Sequence, residues 1–411
     1  MISEQFVWVW LPGQAVPVVC GRVWLEGSVH RFRYGRSYLE RPDAIPLYGI
    51  PLTPDIAEPP AGLALHGVLR DALPDAWGRH VILSRLTGVS GTSGDTGNLS
   101  ELTYMRESAS DRFGALDFQD SPESYKARRH TATLDDLADA AAALQDGRPL
   151  PPELDAALAH ATSIGGARPK ATLTDGGTSW LAKFSAASDA GQPRVRQEAL
   201  GLELARCCGL ETPEFRLVRA AGRDALLIRR FDRGPAATRF MTVSGLTLLG
   251  LDEMVGRYAT YPDLLDVLRS RGAAPDAVGR ELYRRIAVNI AVGNTDDHAR
   301  NHAAFWDGRS LRLTPVYDID PCRTPGWDAN QAMAYGRDGQ RQSSLSGLLG
   351  TAAVYGLTRA EARTIIDETL TAIRDHWDEA LEVAELTPTQ GGHLLGSRIL
   401  HAGVLDGLPA S

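Results

Sequence analysis

The sequence predicts an α+β protein, in which an N-terminal α/β domain is followed by a small lobe of strands and helices and then by a mostly helical lobe. Three observations carry this prediction. Apolar residues alternate with the strand period near the N-terminus, and a second strand–turn–strand pattern surrounds Asp175-Gly176-Gly177. Helical apolar stripes dominate beyond Phe240.

Composition limits the function classes. The 411 residues suffice for two to four structural units, and the formal net charge of −8 argues against a protein that coats nucleic acid through bulk charge. The four cysteines show no metal-type pairing, which favours a reduced compartment. The N-terminus has no basic segment typical of a signal peptide, and no apolar run reaches the length of a membrane helix. We therefore expect a cytoplasmic protein.

The first third of the chain reads as strands followed by a helix. Phe6–Trp10 and Val16–Leu25 predict a hairpin, and His30–Tyr34 predicts a third strand. A helix is expected to start within Leu69–Ile82, with Asp71 or Asp75 as its cap and Trp77, Val81 and Leu86 near one face. Ser90–Ser100 predicts a loop.

The polar stretch Asp120–His130 is a candidate domain boundary. We expect an N-terminal α+β domain over residues 1–122 and a second unit over 123–411, with a small lobe to about residue 235 and a helical lobe over 236–411. Helices are expected at Leu134–Leu144, Pro152–His160, Arg194–Gly209, Tyr261–Arg269, Pro275–Val292, Leu345–Tyr355 and Arg359–Leu386. Strands are expected at Lys170–Leu173, Trp180–Phe184, Phe215–Arg219, Ala225–Phe231 and Ser310–Leu313.

The densest polar segment, Asn294–Asn301, follows a predicted helix. Asp296 and Asn301 are five residues apart, and Asp318 follows the next predicted strand. Phosphotransferases of the kinase type arrange their chemistry in this way: the first Asp positions or deprotonates the acceptor hydroxyl, and the Asn and later Asp hold Mg²⁺. The alternative is a polar loop in which Asp296 caps a helix and Asn301 lies in a turn.

Upstream residues occur in the order that a kinase requires. Lys183 lies within an apolar strand, where pairing with nucleotide phosphates and with Glu198 of the next helix would offset the cost of burial. Lys183 at an exposed strand edge is the alternative. The segment Ser163–Lys170 has two glycines and two cations suited to phosphates, although it is neither a Walker A nor a G-x-G-x-x-G sequence. An ordinary glycine turn is the alternative for this segment.

These residues resemble the HipA-type toxin kinases of bacterial type II toxin–antitoxin systems, and the resemblance covers nearly the whole chain. The matching blocks are Ala72–Arg79, Phe113–Leu116, Ser163–Lys170, Leu226–Asp232, Asn294–Asn301 and Thr314–Asp318. The resemblance implies a two-lobed protein-kinase-like unit after the N-terminal domain.

The resemblance also implies residue roles. Asp296 would be the catalytic aspartate, with Asn301 and Asp318 binding Mg²⁺, and Ser163 would be the site of an inactivating autophosphorylation. The residues implied in binding ATP are Gly165, Gly166, Ala167, Arg168, Pro169, Lys170, Lys183, Arg229, Arg230, Phe231, His298, Asn301, Tyr317 and Asp318. Glu198 is assigned to the same site by its spacing from Lys183 and its place in the next helix. The neighbouring Asp297 is a second candidate for the catalytic carboxylate, but the step to Asn301 favours Asp296.

Family resemblance further implies the partners. The protein would phosphorylate a translation component such as an aminoacyl-tRNA synthetase. It would bind a helix-turn-helix antitoxin of the HipB type and meet DNA only through that antitoxin. Two other functions stay open: a small-molecule phosphotransferase, and a nonenzymatic co-repressor that binds an antitoxin and its operator.

Overall fold

The fold was analysed in a computed structural model, which describes residues 2–88, 94–128, 132–148, 169–186, 189, 192–323, 326 and 328–408. The predicted helix Pro152–His160 lies outside these residues, as does the glycine-containing segment from Ser163 to Arg168. Within the described ranges, no helix is both long and apolar enough to cross a membrane.

The strands form three sheets. The strands are β1 Glu4–Val9, β2 Val18–Glu26, β3 Val29–Tyr34, β4 Leu116–Gln119, β5 Lys170–Asp175, β6 Thr178–Phe184, β7 Phe215–Ala220, β8 Arg223–Arg229, β9 Thr242–Ser244, β10 Ala303–Trp306 and β11 Leu311–Leu313. Their orders are β3-β2-β1-β4, β5-β6-β8-β7 and β11-β10-β9.

The α-helices lie between and after these strands. They are α1 Arg36–Leu39, α2 Gly67–Asp71, α3 Ala76–Thr87, α4 Glu101–Glu107, α5 Leu134–Gln145, α6 Arg194–Cys207, α7 Gly245–Leu248, α8 Tyr261–Arg271, α9 Val278–Val292, α10 Leu345–Gly350, α11 Arg359–Asp375, α12 Trp377–Val383, α13 Pro388–Leu394 and α14 Ala402–Leu405. Short 3₁₀ segments cover Thr96–Asn98, Pro235–Ala237, Glu253–Tyr258, Ala299–Asn301 and Ala352–Tyr355.

The N-terminal sheet confirms the predicted hairpin. β1 pairs antiparallel with β2 and with β4, and β2 pairs antiparallel with β3. The aromatic residues of the first strand region are core residues, since Trp8 and Trp10 are 7% and 4% exposed. Their burial explains why this segment is apolar at nearly every position.

The helix expected within Leu69–Ile82 is two helices. Asp75 is the N-cap of α3, and its Oδ1 accepts a hydrogen bond from the backbone N–H of Gly78 at 2.8 Å. Asp71 instead lies in the last turn of α2. Trp77 and Val81 are buried, whereas Leu86, which was expected near the same face, is 48% exposed.

One face of the second sheet packs in an apolar core. Ala171 on β5, Ala182 on β6 and Leu227 on β8 pack in one core with Trp77 and with α5. β5 and β6 form the predicted hairpin around Gly176-Gly177. Because side chains alternate along a strand, Lys170 and Lys183 lie on the face opposite this core.

The C-terminal helices follow the predicted stripes, with two interruptions. Ala362, Ile365 and Ile373 of α11 are fully buried, as expected. The single helix expected over Arg359–Leu386 is broken at His376, which ends α11 and precedes α12. Leu345–Tyr355 is likewise divided into α10 and a 3₁₀ turn.

The chain separates into two compact units. The first comprises Met1–Gln192, Val218–Val243 and Phe305–Gly308, and the second comprises Pro193–Leu217, Ser244–Ala304 and Arg309–Ser411. The boundary expected near residue 122 stays a prediction.

Candidate active site

The loop that carries Asp296 begins where α9 ends. Gly293 follows the last helical residue in a left-handed conformation (φ 72°), and a Cβ there would lie 2.5 Å from the carbonyl oxygen of Arg398. Only glycine fits this combination of backbone geometry and close approach. The chain then runs through Asn294–His298 and a 3₁₀ turn, Ala299–Asn301, into β10.

The two neighbouring carboxylates have opposite environments. Asp296 is exposed, whereas Asp297 is 1% exposed. Both carboxylate oxygens of Asp297 are engaged, one by the Tyr261 hydroxyl and the other by His302. Asp296 is therefore the carboxylate of the pair that a substrate hydroxyl can reach, which agrees with the five-residue step to Asn301.

Backbone contacts hold Asp296 and Asn301 in a fixed relation. The carbonyl oxygen of Asp296 accepts hydrogen bonds from the Asn301 Nδ2 at 3.0 Å and from the His298 N–H at 2.9 Å. The Asn301 N–H donates to the His298 carbonyl at 2.8 Å. This contact uses Nδ2 of Asn301 and leaves its side-chain oxygen, the atom that could bind a metal ion, out of the contact.

Asp318 has a left-handed backbone (φ 60°), which L-residues other than Asn and Asp seldom adopt. Its carbonyl oxygen accepts a hydrogen bond from Asn294 Nδ2 at 3.4 Å. Beside it, the Tyr317 hydroxyl donates to the carbonyl oxygen of Arg300 at 2.7 Å. Two contacts thus tie the Asp318 segment to the Asp296 loop. Strained conformations of this kind cluster at functional sites.

The donor chemistry of Asn301 and Asp318 fits Mg²⁺. Both offer hard oxygen ligands, and Mg²⁺ is commonly held by one or two such side chains together with substrate phosphates. Among the described residues, no group of three or more His, Cys, Asp or Glu side chains is arranged to hold a metal ion. Coordination through this pair would therefore need phosphate oxygens or water.

Glu198 lies on α6 and is 7% exposed. Three residues further along α6, a Cβ on Gly201 would lie only 2.0 Å from the carbonyl oxygen of Ile319. The backbone of α6 therefore approaches the residue that follows Asp318. Lys183 belongs to the first compact unit and Glu198 to the second, and their pairing stays a prediction.

Two cations of the first unit lie directly opposite each other. Lys170 on β5 is the register partner of Lys183 on β6, and residues so placed have Cβ atoms about 4.5–5.5 Å apart. Like charges in this arrangement repel. Lys170 is 4% exposed, and its Nζ lies 3.3 Å from a carboxylate oxygen of Asp75, the cap of α3. An anion beside both lysines would offset their repulsion.

The segment expected to meet adenine follows β8. Arg229 ends the strand and is exposed. Arg230 is 5% exposed and pairs with Asp111 at 2.9 Å and with Asp232 at 2.8 Å, so its guanidinium holds the segment in place. The ring of Phe231 makes edge-to-face contacts with Phe113 and Phe305.

An ion-pair cluster centred on buried Arg230 and Asp232 also includes half-buried Asp111 and Arg233, and was missed by sequence reasoning. Burial alone would raise the pKa of Asp232, but the charges of Arg230 and Arg233 outweigh it and hold the pKa below its ordinary value. The signal in the sequence was the Arg-Arg-Phe-Asp-Arg run, which alone does not show that its charges are buried.

The remaining site predictions divide between described and undescribed residues. His298 is exposed next to Asp296, and Tyr317 is half-buried. Pro169 accepts a hydrogen bond from the Phe184 N–H at 3.2 Å, which places it at the start of β5. Ser163, Gly165, Gly166, Ala167 and Arg168 lie outside the described residues.

The sheet-and-helix lobe, together with the helical lobe that carries the Asp296 loop, defines a fold of the two-lobed, kinase-like class. Residues 162–377, just over half of the chain, match the model of the HipA-like C-terminal domain. The chain therefore belongs to the family of proteins that have this domain.

Two similar proteins show how far this chain resembles known proteins in structure and in sequence. A HipA structure from Shewanella oneidensis MR-1, described as a toxin–antitoxin complex of HipA, HipB and operator DNA, matches with a TM-score of 0.66 and 17% identity, covering 94% of each chain. The "Putative kinase Y4mE" of Sinorhizobium fredii (strain NBRC 101917 / NGR234) is 28% identical over 134 residues, which is 30% of this chain. The match spans 32% of the length of that curated relative.

Proposed function

We propose that this protein is a Mg-ATP-dependent serine/threonine protein kinase that acts as the toxin of a toxin–antitoxin pair. The observation that carries the proposal is the contrast between exposed Asp296 and buried Asp297, together with the contact that fixes Asn301 to the Asp296 backbone. Phosphoryl transfer from ATP by protein kinases uses a carboxylate to position the acceptor hydroxyl, here Asp296. It also uses an Asn and a second Asp to bind Mg²⁺, here Asn301 and Asp318.

In the proposed reaction, the Asp296 carboxylate accepts a hydrogen bond from the acceptor hydroxyl and takes its proton as that oxygen bonds to the γ-phosphorus of ATP. The bond between the γ-phosphorus and the β–γ bridging oxygen breaks, and ADP leaves. Asn301 and Asp318 would hold Mg²⁺, which neutralises charge on the nucleotide phosphates. Lys170 and Lys183 lie opposite each other on one sheet face, and we propose that they bind phosphate oxygens. Phe231, whose ring packs against Phe113, would offer an apolar surface to adenine.

We infer that self-inactivation acts through Ser163. A phosphate on this serine adds about −1.5 to −2 charges to the segment Ser163–Lys170, which we propose binds the ATP phosphates, and so would repel the nucleotide. Ser163→Ala is expected to bind ATP normally and to keep its activity during incubation with ATP. Mass spectrometry of the wild-type protein that finds the phosphate on another residue would contradict this part of the proposal.

We propose a partner and a substrate class by analogy with the family. The similar HipA of Shewanella oneidensis MR-1 is in a complex with HipB and operator DNA. By analogy, we propose a HipB-type helix-turn-helix antitoxin as the partner here, with DNA contacted through it. We propose an aminoacyl-tRNA synthetase as the protein substrate.

Phosphoproteomics after induced expression tests the activity and identifies its target. Cells that express the wild-type chain should gain phosphoserine or phosphothreonine on a translation component, and cells that express Asp296→Asn should not. Label appearing only on small molecules would favour the small-molecule phosphotransferase. Absence of any ATP–Mg²⁺-induced thermal shift would favour the nonenzymatic co-repressor.

A further inference from the structure

We propose that Asp297, His302 and Tyr261 form a buried brace that sets the spacing between Asp296 and Asn301, and that they are positioning residues of the reaction. The inference rests on the proposed function, because it concerns the groups which that reaction uses. We refer to these three side chains as the loop brace.

Asp297 is the centre of the loop brace. Its Oδ1 lies 2.7 Å from Nε2 of His302, and its Oδ2 accepts a hydrogen bond from the hydroxyl of Tyr261. An ionised carboxylate only accepts hydrogen bonds, so Nε2 of His302 carries the hydrogen and donates it. All three side chains are at least nine-tenths buried, and a buried carboxylate requires such donors to offset its desolvation.

The positions of these residues in the sequence give the brace its function. Asp297 directly follows Asp296, and His302 directly follows Asn301. The contact between Asp297 and His302 therefore connects the residues that follow Asp296 and Asn301. A second contact, from the Asn301 side chain to the Asp296 carbonyl oxygen, connects the two ends of the same loop. Two cross-links over one short loop leave little freedom to the carboxylate and the amide between them.

Tyr261 connects this loop to the surrounding helices. It is the first residue of α8, its N–H donates to the carbonyl oxygen of Ala334 at 2.9 Å, and its ring lies edge-on to His302 at 5.0 Å. The side chain of Asn289 on α9 approaches the Tyr261 hydroxyl at 3.5 Å and accepts a hydrogen bond from Asn294 at 3.0 Å. The loop is thus anchored to two helices by polar contacts.

Loss of the brace should impair turnover more than nucleotide affinity. A displacement of about 1 Å in a reacting group can cost on the order of 10²-fold in rate. Tyr261→Phe removes one hydroxyl and keeps the ring that packs on His302. We expect kcat to fall at least about tenfold. KM for ATP–Mg²⁺ should rise only by the factor by which metal binding weakens, because Lys170 and Lys183 lie on β5 and β6 and not on this loop.

Two further measurements separate positioning from general damage to the fold. Because Asn301 should be misplaced, Tyr261→Phe should bind Mn²⁺ several-fold more weakly in the presence of a non-hydrolysable ATP analogue. His302→Gln keeps an N–H that can reach Asp297, whereas His302→Leu does not, so Gln should retain more turnover than Leu. If circular dichroism shows that Tyr261→Phe does not fold, the comparison of His302→Gln with His302→Leu tests the loop brace instead.

Tyr283→Phe is the matched control. Tyr283 is fully buried on α9, and within the described residues its hydroxyl has no hydrogen-bond partner, so its removal should leave turnover and Mn²⁺ affinity unchanged. Folded Tyr261→Phe with the same kcat and Mn²⁺ affinity as this control would overturn the loop brace. An inactive wild-type protein would contradict the proposed function instead, and the Mn²⁺ affinities would still test the brace.

Discussion

Removing the Asp232 carboxylate tests how strongly the ion-pair cluster stabilises the first unit. Asp232 is 2% exposed and accepts four hydrogen bonds. Two come from Arg230 at 2.9 and 2.8 Å, one from Arg233 at 2.9 Å, and one from the N–H of Gly114 at 2.7 Å. Asp232→Ala leaves these donors buried without the charge that compensates them.

The expected loss of stability is large. Removing one partner from a buried ion pair typically costs about 3–5 kcal/mol, against a total stability of about 5–15 kcal/mol for a folded protein. Asp232→Ala should therefore lower the urea midpoint by roughly a third when unfolding is followed by tryptophan fluorescence. Trp8, Trp10 and Trp180 are buried in the same unit and report on it.

Asp43→Ala is the control for this experiment. Asp43 forms an exposed ion pair with Arg41 at 2.9 Å in the same unit, and its removal should leave the midpoint unchanged. Equal, small effects of the two substitutions would refute the inference that burial makes the Asp232 cluster stabilising.

Three further predictions follow from particular residues. The difference in unfolding free energy between wild type and Asp232→Ala should be constant above pH 5 and should decrease as pH falls below about 3.9. The reason is that the pKa of Asp232 is lowered in the folded state, so its stabilisation is lost only when it is protonated. A difference that increases in acid would contradict this. Asp318→Asn should fold normally and lose phosphoryl transfer. Asp318→Val should in addition lose about 1–2 kcal/mol of unfolding free energy, because a β-branched residue is strained at φ 60°. Equal melting temperatures of the two variants would contradict this. Gly201→Ala should lower the melting temperature and the rate of phosphoryl transfer, because its Cβ would meet the Ile319 carbonyl oxygen. Gly392→Ala should lower neither, because Gly392 in α13 has open space around it. Equal effects of the two substitutions would contradict the close approach of α6 to Ile319.

Much of the fold was predictable because its signals are local. The hairpin of β5 and β6 follows from alternating residues around a two-glycine turn, and the turn sets the register that places Lys170 opposite Lys183. The α9 helix and its Gly293 end are also local features. Helix breaks such as the one at His376 were not predictable, because the apolar stripe continues through the break.

The site was predictable in its spacing but not in its support. The five-residue step to Asn301 favoured Asp296 as the catalytic carboxylate, and the structure adds that Asp296 is exposed whereas Asp297 is buried. The donors to Asp297 include Tyr261, which is 36 residues away in sequence. Contacts between distant segments leave no periodic signal in a single sequence, so the loop brace and the Asp232 cluster appeared only in the structure.

The most direct test of the proposed kinase is to measure transfer and binding on the same Asp296→Asn sample. Asparagine keeps the size of the side chain but cannot take a proton from the acceptor hydroxyl. We predict that transfer of labelled phosphate from ATP falls at least about 10²-fold, while the ATP–Mg²⁺-induced thermal shift stays as in the wild type. Undiminished transfer by Asp296→Asn would contradict the assignment of Asp296 as the catalytic base.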